Sequence, residues 1–224
     1  MANKENLKKF NKLGESLIRD VSFYRNHQDV LCEPKKGIFP RGLIYEEIKR
    51  KGKGSIIVGL NPGSAKKKER EALKKSPRYK TFFDYWNTEI SAMPYYQKLR
   101  MVMDDVGLTG PILWTELAKC ESKKNGKLYA QTVKEDINRH LRKEIEVVPE
   151  EWPIIGVGKV AYVILSYLYP ERLVIGMPHP TGSYGHFAEI YDSRKEKLRD
   201  DIRKKLRSAI KSKKSTALFK TDYL

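Results

Sequence analysis

The chain has 224 residues, of which 40% are hydrophobic and 33% are charged, so it can form one substantial core and is not a disordered chain. Lys and Arg number 45 against 28 Asp and Glu, a formal net charge of +17 that favours a polyanionic partner, above all a nucleic acid. Two cysteines are too few for a disulfide scaffold, and no segment approaches the roughly 20 apolar residues that span a bilayer. We therefore expect a cytoplasmic protein with free thiols and no membrane partner.

The N-terminal pattern of apolar residues predicts an amphipathic helix over residues 4–25, followed by a connector rich in Pro and Gly up to residue 50. Helical patterns then alternate with apolar runs that predict strands. The predicted strands are residues 54–60, 111–120, 152–157 and 172–177. A final helix with a basic outer face is predicted to carry apolar residues from Ile190 to Ile210, with a frayed tail beyond it.

Strands that alternate with helices predict an α/β fold, in which helices cover both faces of a parallel sheet. We expect a three-layer α/β/α sandwich with a central, mainly parallel four-stranded sheet. The chain shows no internal repeat and no linker, so we expect a single domain. Its predicted parts are an N-terminal helix and connector (1–50), the α/β core (51–212) and a tail (213–224).

The first predicted strand ends in a polar turn, Asn61-Pro62-Gly63-Ser64. Open α/β sheets bind their ligands at the carboxyl ends of such strands. Pro62 restricts the backbone of Asn61, and Gly63 and Ser64 would let backbone amides approach a ligand closely. The pattern therefore indicates that Asn61 lies at the mouth of a binding crevice, although Asn-Pro-Gly is also a common turn sequence.

A second polar turn, His179-Pro180-Thr181, follows the last predicted strand. In a parallel sheet both turns would lie along the same edge. An Asn can hold a water molecule in position, and a His can stabilise negative charge that develops on a leaving group. The basic run from Lys66, Lys67 and Lys68 to Lys80 follows the first turn, which favours phosphate contacts over a solvated helix face.

Together these residues carry a resemblance to a known family. Gly59-Leu60-Asn61-Pro62-Gly63, followed by His179-Pro180-Thr181-Gly182-Ser183, resembles the two site motifs of the uracil-DNA glycosylase superfamily. Residues 113–120 resemble its middle strand, and residues 154–161 resemble the strand and helix start that precede the last motif. The four segments occur in the family's order and extend over roughly residues 52–190.

The resemblance implies that a nucleotide is flipped out of DNA and that its N-glycosidic bond is hydrolysed without a cofactor. Asn61 resembles the residue that positions water at C1′, and His179 resembles the histidine that hydrogen-bonds the pyrimidine O2. At other positions the resemblance implies contacts to the base from Leu60 and Glu116, and from one aromatic among Tyr79, Phe82 and Phe83 that stacks on it. It implies DNA contacts from Ser64, Thr181, Ser183 and Tyr184, with Tyr184 as the wedge. The basic run adds Lys66, Lys67 and Lys68 as expected phosphate contacts.

Two departures from the family refine this expectation. The iron–sulfur branch needs four cysteines, so we expect no cluster and no metal here. Glu116 stands where much of the family has an Asn, and an ionised Glu accepts hydrogen bonds but cannot donate them. This favours a modified cytosine, for example in viral DNA, over uracil, whereas a protonated Glu116 would keep uracil possible.

The sequence thus predicts a monomeric, monofunctional DNA glycosylase. A uracil-DNA glycosylase of base-excision repair and a non-catalytic DNA-binding protein on the same fold remain alternatives. An unrelated α/β hydrolase is disfavoured because the chain has no G-x-S-x-G motif.

Overall fold

A computed structural model describes residues 2–48, 51–123, 127–181 and 186–219. The fold is mixed α/β, with a central six-stranded, mostly parallel sheet flanked by helices. The strands in chain order are β1 (Val30–Leu31), β2 (Ile44–Glu46), β3 (Ser55–Gly59), β4 (Ile112–Glu116), β5 (Glu121–Ser122), β6 (Ile154–Val157), β7 (Val174–Met177), β8 (Tyr191–Asp192), β9 (Lys197–Leu198) and β10 (Thr216–Ala217). The central sheet has the order β10-β7-β6-β3-β4-β2, whereas β1 pairs with β5 and β8 pairs with β9.

Helices occupy most of the segments between these strands. They are α1 (Ala2–Arg19), α2 (Val21–Tyr24), α3 (Lys67–Lys75), α4 (Tyr79–Tyr85), α5 (Pro94–Asp105), α6 (Ala130–Asp136), α7 (Arg142–Glu146), α8 (Lys159–Leu168), α9 (His186–Ile190) and α10 (Asp200–Ser212). A 3₁₀ turn spans Pro34–Lys36, and π-helical turns extend α4 over Trp86–Ile90 and join α6 to α7 over Ile137–Leu141. Among the described residues, no helix is both long and apolar enough to cross a membrane.

The described residues form two compact units. The first is drawn from Met1–Tyr45, Leu60–Ile90 and Trp114–Val148, and the second from Glu46–Gly59, Ser91–Leu113 and Pro149–Leu224.

In the first unit, α1 packs closely against α4. A Cβ atom on Gly14 would lie 2.2 Å from the ring of Tyr79, which is buried. The carboxylate of Glu15 accepts a hydrogen bond from the Tyr79 backbone N–H at 3.0 Å. Gly14, which weakens α1 as an isolated helix, is therefore explained by the close approach of the Tyr79 ring.

In the second unit, β3, β6 and β7 are parallel and every one of their residues is buried. Val58 pairs with Gly156, which in turn pairs with Gly176. A Cβ atom on Gly156 would lie 2.7 Å from the Cα of Tyr162 on α8, and one on Gly176 would lie 2.7 Å from its ring. These two glycines thus allow α8 to pack directly on the sheet.

Each of the four predicted strand segments contains a strand of the central sheet. In the order β7, β6, β3 and β4, these strands are direct neighbours in that sheet. The sheet has six strands rather than four because two short segments add to its edges. β2 lies in the predicted connector, and β10 lies in the predicted tail. Ser215 at the start of β10 donates its hydroxyl to the Arg172 carbonyl and accepts the Val174 N–H at 2.9 Å, so this segment is anchored to β7.

The prediction of one continuous helix from Ile190 to Ile210 is wrong. Helix α9 ends at Ile190, the β8–β9 hairpin follows, and α10 begins at Asp200. The side chain of Asp192 accepts the Arg194 N–H at 3.0 Å, and such an Asx turn offers the backbone an alternative to the helix. The predicted N-terminal helix is likewise divided, at Asp20 between α1 and α2.

Candidate functional site

The Asn61 turn lies in the first unit, beside the loop that follows β4. The Ala118 N–H donates to the Leu60 carbonyl at 2.9 Å. The side-chain amide of Asn61 donates to the carbonyls of Pro62 at 3.3 Å and Cys120 at 3.5 Å. Both contacts are made through Nδ2, and among the described residues Oδ1 of this half-buried side chain has no donor, so it can accept a hydrogen bond from a ligand or water.

A buried arginine fixes the loop that follows Asn61. Arg41 is 3% exposed, and its guanidinium donates to the Gly63 carbonyl at 2.5 Å. It also pairs with the buried carboxylates of Glu69 at 2.7 Å and Glu121 at 3.1 Å. Glu121 in turn accepts the Ala65 N–H at 2.9 Å, so both ends of the loop from residue 63 to residue 65 are held by one ionic network.

Packing among the described residues does not require a glycine at position 63, since a Cβ atom there would have no heavy atom within 4 Å, and the expected close approach to a ligand stays a prediction. Its carbonyl, rather than its missing side chain, makes the structural contact, with Arg41. Any ligand contact at this residue would therefore lie on an open surface.

Glu116 ends β4 in the first unit, where burial raises the pKa of its carboxyl to about 8, against the opposing effect of Lys119 and Arg41. Its Oε2 is buried and has no hydrogen-bond partner among the described residues. Gly42, with a φ of +103°, lies against the side chain, and a Cβ atom there would be 2.8 Å from Glu116 Cγ. A pKa of about 8 favours the neutral carboxyl near pH 7, which is one of the two charge states that the sequence left open.

A second buried ion pair, between Lys119 and Glu144, adjoins the backbone of Glu116. The ammonium of Lys119 donates to Glu144 at 2.7 Å, to the Thr115 hydroxyl at 2.6 Å and to the Glu116 carbonyl at 2.8 Å. The Lys119 side chain is fully buried, and these three bonds use all three of its N–H groups. Lys119 is thus a structural cation rather than a free amine.

His179 lies in the second unit, two residues beyond the end of β7. Its Nδ1 accepts a hydrogen bond from the Thr181 backbone N–H at 3.3 Å, which assigns the remaining ring proton to Nε2. Burial lowers the pKa of the imidazole, and the Tyr95 ring lies 5.0 Å away, centre to centre. Lys98 donates to the Pro180 carbonyl at 3.4 Å and supports the turn. His179 therefore presents a neutral Nε2–H donor.

The register of the second unit relates the two turns to the sheet. Val58 and Gly176 occupy the same level of parallel strands, with Gly156 between them. Asn61 follows Val58 by three residues, and His179 follows Gly176 by three residues. Asn61 and His179 thus each come from a turn that begins at the same edge of the parallel strands β3 and β7.

The remaining predicted residues differ in their accessibility. Phe82 is 4% exposed, whereas Phe83 is partly exposed and packs against Tyr79 at 6.0 Å between ring centroids. Leu60 is half-buried, and its carbonyl is occupied by Ala118. The exposed predicted DNA contacts are Ser64, Lys66, Lys67, Lys68 and Thr181. Ser183 and Tyr184 lie outside the described residues.

A basic cavity of about 470 Å³ lies beside the Asn61 loop in the first unit. It is bordered by the 3₁₀ turn and by α3. Its lining includes Lys35, Lys36, Lys67, Arg70 and Lys74, with Glu71 as the acidic member and Ala65 at the loop. The sequence pointed to the α3 side of this cavity, but not to Lys35 and Lys36, which are about 30 residues upstream.

Sequence reasoning also missed Arg41 and Tyr95. Arg41 stands in a Pro- and Gly-rich connector, where an Arg is ordinarily a solvated residue. Its near-complete burial could not be seen without the two carboxylates that neutralise it. Tyr95 begins a helix whose amphipathic pattern suggests packing, and its contact with His179 depends on the tertiary fold.

No protein-family model matches this chain, and no curated protein sequence matches it. Within residues 2–48, 51–123, 127–181 and 186–219, no three His, Cys, Asp or Glu side chains come together as a metal site. What the site can do must therefore be argued from its own residues.

Proposed function

We propose that the protein is a monofunctional DNA glycosylase that excises a modified or damaged pyrimidine by hydrolysing its N-glycosidic bond. The observation that carries this proposal is the position of the two residues relative to the sheet. Val58 and Gly176 lie at the same level of the parallel strands β3 and β7, and Asn61 and His179 each follow one of them by three residues. An acceptor amide can position the attacking water, and a neutral imidazole donor can stabilise the negative charge on the leaving base. The resemblance to the uracil-DNA glycosylase superfamily, including its three-layer fold, gives the same two residues these roles.

In the proposed reaction the target nucleotide is first flipped out of the duplex. Oδ1 of Asn61 accepts a hydrogen bond from a water molecule and directs its oxygen to C1′. The bond between C1′ and N1 breaks, and its electron pair leaves with the base. The Nε2–H of His179 donates to the pyrimidine O2, on which negative charge accumulates. The water oxygen bonds to C1′, one of its protons passes to the departing base anion, and the products are the free base and an abasic sugar.

Glu116 is the proposed reader of the base edge. A neutral carboxyl offers one donor and one acceptor, and its buried, unpartnered Oε2 is suited to a ligand hydrogen bond. It can pair with O4 and N3–H of a uracil-type base, or with N3 and the N4 amine of a cytosine-type base. The charge argument against uracil is therefore removed, and both uracil and a modified cytosine are candidate substrates.

The basic cavity supports DNA as the partner. Five cationic side chains and one carboxylate surround it, so it is attractive to phosphate at neutral pH. It borders Ala65 in the loop after Asn61, and we propose that it holds backbone phosphates near the flipped nucleotide. Among the aromatic candidates, Phe83 is the better one for stacking on a base, since Phe82 is buried in the first unit.

Lys119 bears on whether a strand-cleaving lyase step follows. A Schiff-base lyase needs an amine with a free lone pair, and all three N–H groups of Lys119 are engaged with Thr115, Glu116 and Glu144. We propose hydrolysis without a lyase step, which leaves an alkali-labile abasic site in an intact strand.

The decisive experiment incubates the protein with oligonucleotides that contain uracil, cytosine or modified cytosines, and with genomic DNA that carries modified cytosines. Released bases are identified by mass, and abasic sites are counted after alkali treatment. Asn61→Ala should lose turnover by about 10²–10⁴-fold while it keeps its affinity for DNA.

Matched controls separate the competing functions. Asn138→Ala makes the same change of residue type at an exposed position of the first unit outside the site, and it should keep turnover. A protein that binds these oligonucleotides but releases no base, with or without Asn61, would be the non-catalytic reader. A protein that neither binds DNA nor releases a base would contradict both functions.

A further inference from the structure

The two cysteines of the chain are brought together by the small β1–β5 ladder in the first unit. Val30 pairs with Ser122 and Leu31 pairs with Glu121 in the antiparallel register. The next pair in this register is Cys32 and Cys120. Residues that face each other in an antiparallel ladder point their side chains to the same face, so the two thiols share one side of the ladder.

The hydrogen-bond pattern shows which kind of pair they form. The Lys123 N–H donates to the Asp29 carbonyl at 2.8 Å, so residues 29 and 123 are a hydrogen-bonded pair. Bonded and non-bonded pairs alternate, which makes Cys32 and Cys120 a non-bonded pair, in which Cα atoms are typically about 4.5 Å apart. That spacing falls within the range that a disulfide bridges, about 4.4–6.8 Å.

The side chains confirm the contact. Cys120 is buried in a cluster with Tyr24 and Val30, and Cys32 packs against that cluster while it remains partly exposed. Both are free thiols. A hydrogen bond with Cys120 lowers the pKa of the Cys32 thiol, assisted by Arg25, whereas burial raises the pKa of Cys120. The accessible sulfur is therefore also the more reactive one.

We propose that Cys32 and Cys120 form a reversible intramolecular disulfide when the protein meets a peroxide. The Cys32 thiolate attacks hydrogen peroxide: a bond between sulfur and oxygen forms, the bond between the oxygens breaks, and hydroxide leaves as water with the thiol proton. The Cys120 sulfur then attacks the Cys32 sulfenic acid, the disulfide forms, and a second water leaves with the Cys120 proton. Two thiols are oxidised, and one peroxide is reduced to two waters.

This disulfide would tie the connector before Arg41 to the loop after β4. The carbonyl of Cys120 accepts a hydrogen bond from the Asn61 amide, so the cross-link lies directly beside the Asn61 turn. Because it closes a long loop, it should also raise the thermal stability of the oxidised protein. The proposal rests on the ladder and the thiols and does not depend on glycosylase activity.

The test treats the purified full chain with hydrogen peroxide and measures its intact mass without reductant. We expect a loss of about 2 Da, since disulfide formation removes two hydrogens. N-ethylmaleimide, added after denaturation, should label two thiols in the reduced protein and none in the oxidised protein. Dithiothreitol should restore both labels, and the oxidised protein should show a higher Tm.

Single variants assign the order of the two steps. Cys120→Ser should retain a sulfenic acid at Cys32 that dimedone traps, whereas Cys32→Ser should show little dimedone labelling at the buried Cys120. Two results on the unmutated chain would overturn the proposal, whether or not these variants fold. One is oxidation of Cys32 to the sulfinic acid while Cys120 still takes one N-ethylmaleimide, and the other is a disulfide between two chains.

Discussion

The backbone N–H of Thr181 donates a hydrogen bond to Nδ1 of His179 at 3.3 Å, within the same turn. This bond makes Nδ1 the acceptor of the ring, so that the proton resides on Nε2. Because burial lowers the pKa of His179, the neutral form with an Nε2–H donor is the state of the folded protein at neutral pH. A neutral donor stabilises a developing anion without an ionic partner of its own.

We expect His179→Ala to lower kcat by about 10²–10³-fold, the usual effect of removing one donor to a developing oxyanion. DNA affinity should change little, because the donor acts on charge that develops in the transition state. Thr181→Val keeps the backbone N–H and should retain most of the activity. Single-turnover base release measures both variants. A loss in Thr181→Val as large as that in His179→Ala would show that the threonine hydroxyl, 3.4 Å from Nδ1, is needed to hold the ring, and would contradict a ring held by the backbone N–H alone.

The pH dependence should reflect two groups with opposite shifts. Because the pKa of His179 is lowered, the fall in kcat at acid pH should occur below about pH 6.5, the ordinary pKa of a histidine. On the alkaline side, Glu116 loses its proton at about pH 8, so excision of a uracil-type base should fall above that pH. Glu116→Gln keeps a donor and an acceptor, and its activity should persist above pH 8. A cytosine-type substrate should lose less, since ionised Glu116 still accepts from the N4 amine.

Glu116 should also affect folding stability. The folded protein holds the Glu116 proton up to about pH 8, whereas the unfolded chain releases it near 4.5, the ordinary value of a glutamate. Between these values the folded state binds more protons, so the free energy of unfolding falls as pH rises and levels off above about pH 8. In urea denaturation at several pH values, Glu116→Gln should lack this decline in the free energy of unfolding. Glu71→Gln, a change at an exposed residue, should retain it. An unchanged pH profile in Glu116→Gln would contradict the raised pKa.

Arg41 should be the most sensitive residue of the Asn61 loop. Arg41→Met leaves Glu69 and Glu121 buried without their cation, and breaking such a network costs about 3–5 kcal/mol. Arg41→Lys keeps the charge but loses the planar fork that reaches both carboxylates and the Gly63 carbonyl, so it should also destabilise the protein. Exposed Lys66→Met should stay within about 0.5 kcal/mol of the unmutated chain. A small loss in Arg41→Met would show that the network does not stabilise the loop.

The basic cavity should determine how strongly DNA binding depends on salt. Reversal of Lys35, Lys67 and Lys74 to Glu should weaken binding and reduce the slope of log K against log salt by about one for each lost phosphate contact. The matched control reverses three exposed lysines in and just after α10, and it changes the net charge by the same amount. These lysines are Lys204, Lys211 and Lys214. Equal effects of the two triple variants would indicate a diffuse electrostatic effect rather than a phosphate site in this cavity.

Local residue patterns were enough to predict the segments whose structure depends on their own sequence. Runs of Ile and Val at residues 54–60 and 172–177 could be read as β3 and β7 because strands buried on both faces are continuously apolar. The turns that follow them, with Asn61 and His179, were visible because Pro restricts the backbone locally and Gly permits the conformations that turns require. The α/β class followed from the alternation of these patterns. The edge strands β2 and β10 were missed because two or three residues carry no periodic signal.

The tertiary structure decided the properties that depend on surroundings. Glu116 and Lys119 are ordinary charged residues in the sequence, and burial in the first unit makes one a neutral acid and encloses the other in hydrogen bonds. Cys32 and Cys120 are distant in sequence, and the β1–β5 register makes them neighbours. Charge state and proximity are set by the dielectric environment and by long-range pairing, and neither is encoded in a local pattern.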